Sequence, residues 1–113
     1  CLYDDGGTFC TNPAHRPTQP LVNLQSGVWY CVETYVDAGT PSSNGGGATG
    51  AMALWVNGQS LGSWDHLWLR TTPSVRLSLL WLSLFHHDDA HSVAGVLFDD
   101  VVVSTERVGC PTP

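Results

Sequence analysis

Residues 93–110, VAGVLFDDVVVSTERVGC, decide the reading of this chain. Val, Leu and Phe dominate 93–103, Asp99-Asp100 interrupts them, and Gly109-Cys110-Pro111 ends them. β-Branched and aromatic residues bounded by breakers predict a strand, here the closing strand of a sandwich, lying in its core. A Cys so near the last residue predicts that this end is stapled down rather than frayed. The run that precedes it, 75–85 (VRLSLLWLSLF), is apolar on both faces beyond Leu79. It predicts a strand covered on both sides, or a bulge at Leu79-Leu80 that switches faces. A helix is the rival, but SLLWLSLF carries neither a cap nor polar residues at helical spacing.

The length, 113 residues, fits one domain near the lower end of what a two-sheet sandwich needs. Hydrophobic residues make up 42% and charged residues 12%, the balance of a folded, low-charge protein rather than a disordered one. Its four basic residues are Arg16, Arg70, Arg76 and Arg107, there is no Lys, and the formal net charge is -6. Nucleic acid and anionic membrane are therefore excluded as expected partners, because phosphate binding is driven by clustered Lys and Arg.

Four Cys in a short chain rich in Gly, Ser and Trp predict an oxidising, extracellular setting, in which disulfides support a small core. Three pairings exist, and the favoured one is Cys1–Cys10 with Cys31–Cys110. The first closes a short N-terminal loop, and the second ties a central strand to the C-terminal end, where a long loop constrains the unfolded chain most. The longest largely apolar run, 77–85, is about half of what a spanning helix requires. With no secretory signal and a Cys at position 1, the chain reads as a mature or trimmed secreted product.

Residues 1–20 hold Asp4-Asp5-Gly6-Gly7 and Pro13, Pro17 and Pro20, and predict an irregular, disulfide-stapled arm ahead of sandwich strands over 28–110. Residues 28–37 alternate, with Val28, Tyr30, Val32, Thr34 and Val36 on one face and Trp29, Cys31, Glu33, Tyr35 and Asp37 on the other. Residues 38–50, AGTPSSNGGGATG, have too few apolar groups to pack and predict a flexible loop. A strand over 51–56, with Met52, Leu54 and Val56 inward and Trp55 outward, then meets Asn57-Gly58, the residues of a tight hairpin turn, and returns over 59–64.

Four pieces in order, VWYCVETYVD, MALWVNGQSL, VRLSLLWLSLF and VLFDDVVVSTERVGC, resemble the C-terminal part of concanavalin A-like jelly-roll domains, as in laminin-G-like modules, glucanases and some polysaccharide lyases. The resemblance covers roughly residues 28–110 and rests most on the WVNGQ hairpin and the DDVVVST strand. It implies an all-β, antiparallel β-sandwich, truncated or completed by a partner chain, since such domains have about twice this length. It also implies binding or cleavage of carbohydrate on the concave sheet face. The aspartate-asparagine pair that the family carries before the final valines is Asp99-Asp100 here.

Several groups could carry chemistry. Glu33, Tyr35 and Asp37 share a strand face, as the carboxylates of glucanases with this fold do. Four residues of strand put Glu33 and Asp37 ~13 Å apart, however, against about 5–5.5 Å for the carboxyls of a retaining glycosidase. The plainer reading has both acids facing solvent or bonding a neighbouring strand. A lyase needs a base and a group that neutralises uronate, for which Tyr30, Tyr35, Arg70, Arg76 and the histidines are available, but an acidic protein repels a polyanion.

His86, His87, Asp88, Asp89 and His91 crowd six positions and could ligate a divalent metal, Zn, Cu or Ni with imidazole and Ca with the acids alone. The plainer reading is a solvated loop with Asp and His at its turns. Of the five Trp, Trp29, Trp55 and Trp64 fall on an expected outward face or loop, whereas Trp68 and Trp81 are expected in the core. Aromatic rings stack on sugar C–H faces, and nearby acids and amides take the hydroxyls.

The sequence thus predicts a secreted, lectin-like module that binds a neutral polysaccharide through Trp29, Glu33, Tyr35, Asp37, Trp55 and Asn57, without catalysis. A polysaccharide-degrading hydrolase or lyase and a self-assembling extracellular structural subunit are the alternatives. The two-sided 75–85 run further predicts a homo-oligomer or a second chain that covers it.

Overall fold

The computed structural model describes residues 23–83 and 95–111. Among them there is no helix, and three strands form one antiparallel sheet in the order β1-β2-β3, so the all-β expectation holds at this level. β1 is Val32–Asp37, β2 is Gly50–Val56 and β3 is Gln59–Leu67. None of the described residues belongs to a helix long and apolar enough to cross a membrane.

The β2–β3 hairpin follows from two residues. Asn57 and Gly58 have φ of 49° and 77°, the double positive-φ turn whose twist matches that of the strands it joins. Asn57 also ends the β1 ladder. Its backbone N–H donates to Cys31 O at 2.8 Å, and its side-chain Oδ1 accepts from Cys31 N at 3.0 Å. Beyond that point β2 has turned away, so residues 28–30 continue no ladder with it, and Cys31 meets only the turn residue Asn57. This explains why the strand expected over 28–37 begins at Val32.

β1 and β2 pair without interruption, Glu33 facing Trp55, Tyr35 facing Ala53 and Asp37 facing Ala51. Between β2 and β3 the register shifts twice. Gly50 and Met52 face Leu67 and Trp64, and Leu54 and Trp55 face Gly62 and Ser60, so β3 carries one extra residue at each place. His66, at φ 54°, lies in the first of these bulges. Such insertions bend the strand and increase local twist. The pairing continues to Leu67, three residues past the expected return.

The core is small. Met52 and Leu67 are buried with Trp64 and Leu69 against them, and Ala48, Ala53, Val56 and Leu61 complete the buried apolar set. Trp64 therefore lies against the core rather than on an outward face.

The two apolar runs depart from expectation. Residues 75–83 and 95–103 form no strand, and among the described residues their largest side chains stay mostly uncovered: Leu79 and Trp81 are 80% and 79% exposed, and Leu97 and Val103 are each 79% exposed. Apolar alternation marks a segment suited to a sheet, but a strand needs a second backbone for its N–H and C=O groups, and none of the described residues supplies one. Trp68, expected in the core, is likewise at the surface. The histidine-aspartate group His86, His87, Asp88, Asp89 and His91, and the Cys1 and Cys10 of the arm, lie outside the described residues.

Candidate binding face and its C-terminal clasp

The β1–β2 pairing puts Glu33, Tyr35 and Asp37 on one face with Trp55, Ala53 and Ala51. Trp29 precedes β1 and is 64% exposed, and Tyr35 is 48% exposed. Ala53 and Ala51 stand opposite Tyr35 and Asp37. Tyr35 and Asp37 are exposed, whereas Ala53 is buried, so the solvent-facing part of this face lies along β1.

At the other end of β1 the face is occupied. Cys31 and Cys110 form a disulfide with Cα atoms 5.8 Å apart, joining positions 79 residues apart. The bridge brings residues 107–110 down beside β1. Glu33 receives them: Oε1 accepts from Gly109 N at 2.9 Å and from Arg107 Nε at 3.3 Å, and Oε2 accepts from Arg107 Nη2 at 2.9 Å. Gly109 has a φ of 79°, which turns its N–H toward that carboxylate in a conformation suited to glycine. The Arg107 guanidinium lies over the Trp55 ring, 4.3 Å from its centroid, within range of the ring quadrupole.

Sulfur, carboxylate, guanidinium and indole thus form one clasp.

The two-pronged bond from Arg107 holds the Glu33 carboxyl below its ordinary value, with the Gly109 N–H and the positive charge of Arg107 adding to it against the cost of burial. The same bond raises Arg107. Glu33 is accordingly a carboxylate at neutral pH whose lone pairs are largely engaged. A general acid needs the opposite shift, toward a carboxyl that keeps its proton near neutrality.

The remaining sequence candidates are placed as follows. Asp37 Oδ1 accepts from Gly39 N at 2.8 Å, fixing the exit from β1. Asn57 is engaged in the turn through Cys31. The 38–50 segment, expected to be flexible, is pinned by two residues that follow β3: Trp68 Nε1 donates to Ser42 O and Arg70 Nε donates to Gly39 O, each at 2.7 Å. Ser42 N closes the arrangement on Arg70 O at 3.2 Å. Within the loop, Thr40 N and Thr49 Oγ1 are 2.7 Å apart, and Ser42 Oγ reaches Gly46 O at 2.9 Å. Side chains from beyond β3 and from the loop itself, bonded to its backbone, hold this loop, with Trp68 against Gly45, and the composition of 38–50 alone does not show them.

Sequence reasoning overlooked Arg107 and Gly109. The signal was present, since Glu33 lies two residues after Cys31 and Arg107 three before Cys110, so the favoured bridge brings their side chains within reach. Comparisons with protein-family models, with curated proteins and with solved structures return no match for this chain.

Proposed function

We propose that the protein is an extracellular carbohydrate-binding module for neutral polysaccharide. One observation carries this reading: Tyr35 and Asp37 stand two positions apart on one face of β1 and are both exposed, with Trp29 exposed at the start of the same segment. An exposed ring offers stacking on a pyranose face, and an adjacent carboxylate accepts from hydroxyls. The disulfide fits an oxidising compartment and so supports secretion. The engaged state of Glu33 favours binding over hydrolysis, because the face then lacks a free pair of carboxyls at glycosidase spacing. Trp55 serves this face from below, as the platform under Arg107.

In the same reading the three-stranded sheet is part of a concanavalin A-like sandwich whose other strands need a further chain to pair with. The exposed runs 75–83 and 95–103 favour that arrangement, and they also support the structural-subunit alternative, since apolar surface of this extent rarely stays in water. A polysaccharide panel resolved by affinity electrophoresis, with light scattering on the same sample, tests the proposal. Retardation by neutral glucans supports binding. No retardation by any neutral polymer, together with large ordered assemblies, assigns the chain to structural use.

A further inference from the structure

We infer that the Arg76–Leu77 bond is a site of limited proteolysis, at which an arginine-specific endopeptidase converts the folded chain into two chains held together by the Cys31–Cys110 disulfide. Such an enzyme takes a cationic side chain into a pocket with a carboxylate at its base, and this chain offers only Arg16, Arg70, Arg76 and Arg107. Arg16 precedes Pro17, and a bond to the ring nitrogen of proline resists these enzymes. Arg70 is half-buried, its Nε donating to Gly39 O at 2.7 Å and its Nη1 to Val75 O at 3.4 Å. Arg107 is bonded to Glu33 at 2.9 Å and lies over the Trp55 ring. Arg76 is exposed, and no hydrogen bond, ion pair or ring contact ties its side chain to another described residue.

The backbone at this bond is accessible too. An endopeptidase holds its substrate as an extended strand added to an edge of its own, so a helix or a paired strand resists cutting until it opens. Residues 75–83 belong to neither, and Val75, Arg76 and Leu77 are all exposed. The run lacks a second backbone to pair with, and the enzyme cleft provides one. A single exposed turn, Val75 N donating to Thr72 O at 3.2 Å, has to open first, a local event that leaves β1, β2 and β3 paired. The step is hydrolysis: the oxygen of one water bonds to Arg76 C as the C–N bond to Leu77 breaks. Arg76 is left as a carboxylate, and both protons of that water end on the Leu77 nitrogen as an ammonium. Because the disulfide joins positions 31 and 110 on either side of the cut, the two pieces stay one covalent unit. Cutting separates the apolar run from the Arg70 anchor, while the clasp at Glu33 keeps the far end on the sheet. The inference shares with the proposed function its extracellular setting, where such enzymes act, and is independent of what the β1 face binds.

The test digests the oxidised full chain with a trace of trypsin in native buffer and follows its mass before and after reduction. The expected product is, before reduction, one species heavier than the parent by one water, and after reduction, the fragments 1–76 and 77–113. Arg76→Gln should stay uncut for the time in which the parent is converted. In urea, where Arg70 and Arg107 lose their partners, the bonds that follow them should be cut as well. A first cut after Arg70 or Arg107 in native buffer overturns the proposal. So does a native chain that resists trypsin while the urea-treated one is digested, or an Arg76→Gln chain cut as fast as the parent.

Discussion

The guanidinium of Arg107 is shared between two residues that face each other across β1 and β2, bonded to the carboxylate of Glu33 and stacked on the ring of Trp55. This single side chain connects the C-terminal segment to the sheet by charge and by aromatic contact at once. The Cys31–Cys110 bridge beside it keeps the segment close enough for both.

Removing that bridge is expected to be the most costly change in the clasp. Closing a loop of 79 residues constrains the unfolded chain by about 4.5 kcal/mol on the loop-entropy model. Cys31→Ala with Cys110→Ala should lower the urea midpoint correspondingly, with a steeper slope because the uncrosslinked denatured chain exposes more surface. A midpoint within error of the parent would show that the bridge contributes nothing to stability.

The Glu33 shift makes the clasp pH-dependent in a defined direction. Its folded value lies below the ordinary 4.5, chiefly through the Arg107 bond. A depressed carboxyl stabilises the fold fully above the unfolded value, and the contribution fades as pH falls through the folded one. Stability from this group should therefore be flat from neutrality down to ordinary carboxyl values and decline only in more acidic solution. The Gly109 amide, which donates to Glu33 Oε1, is the NMR reporter, and its titration midpoint should fall below 4.5. Arg107→Ala should move that midpoint upward; an unmoved midpoint would sever the link between the two residues.

Which of these features the sequence carried depended on their range. Asn57-Gly58 was legible because a two-residue hairpin is encoded in the turn itself, and Cys31–Cys110 because four Cys allow few pairings. The alternation that put Glu33, Tyr35 and Asp37 on one face was equally local. What was missed depends on residues far apart in the chain. Arg70 and Trp68 hold a loop that begins about 30 positions earlier, and no composition of residues 38–50 announces that. The apolar runs 75–83 and 95–103 show the converse: propensity marks a segment that can pair but says nothing about whether a partner backbone is within reach.

The loop anchoring can be checked at two glycines. Gly39, at φ +66°, closely approaches the backbone of Thr49 and Gly50, so a Cβ there meets immovable atoms as well as an unfavourable conformation. Gly47, at φ +68°, has nothing within 4 Å of a Cβ. Gly47→Ala should cost about 1–2 kcal/mol from left-handed backbone strain alone. Gly39→Ala should cost visibly more, on the order of 3 kcal/mol with the steric term added. Equal losses in chemical denaturation would mean that the loop can lift from β2 without penalty.

Ligand recognition is expected to separate Tyr35 and Trp29 from the clasp residues on the same face. Tyr35 and Trp29 present exposed rings, whereas Glu33 is engaged by Arg107 and Gly109 and the Trp55 ring by Arg107. Tyr35→Ala and Trp29→Ala should each weaken binding to a neutral glucan by about 1–3 kcal/mol, the usual size of an aromatic anchor, with little effect on thermal stability. Trp55→Ala should act in the opposite pattern, lowering stability by removing the platform under Arg107 and reducing affinity only as the clasp loosens. The choice of neutral polymer follows from the face itself, where Asp37 repels uronate and sulfate but accepts from hydroxyls, in a chain of net charge -6. Isothermal titration of the three variants against a neutral glucan and against alginate checks the scheme. Tighter binding to alginate, or affinity lost in Trp55→Ala while Tyr35→Ala and Trp29→Ala match the parent, would move the site away from the open end of this face.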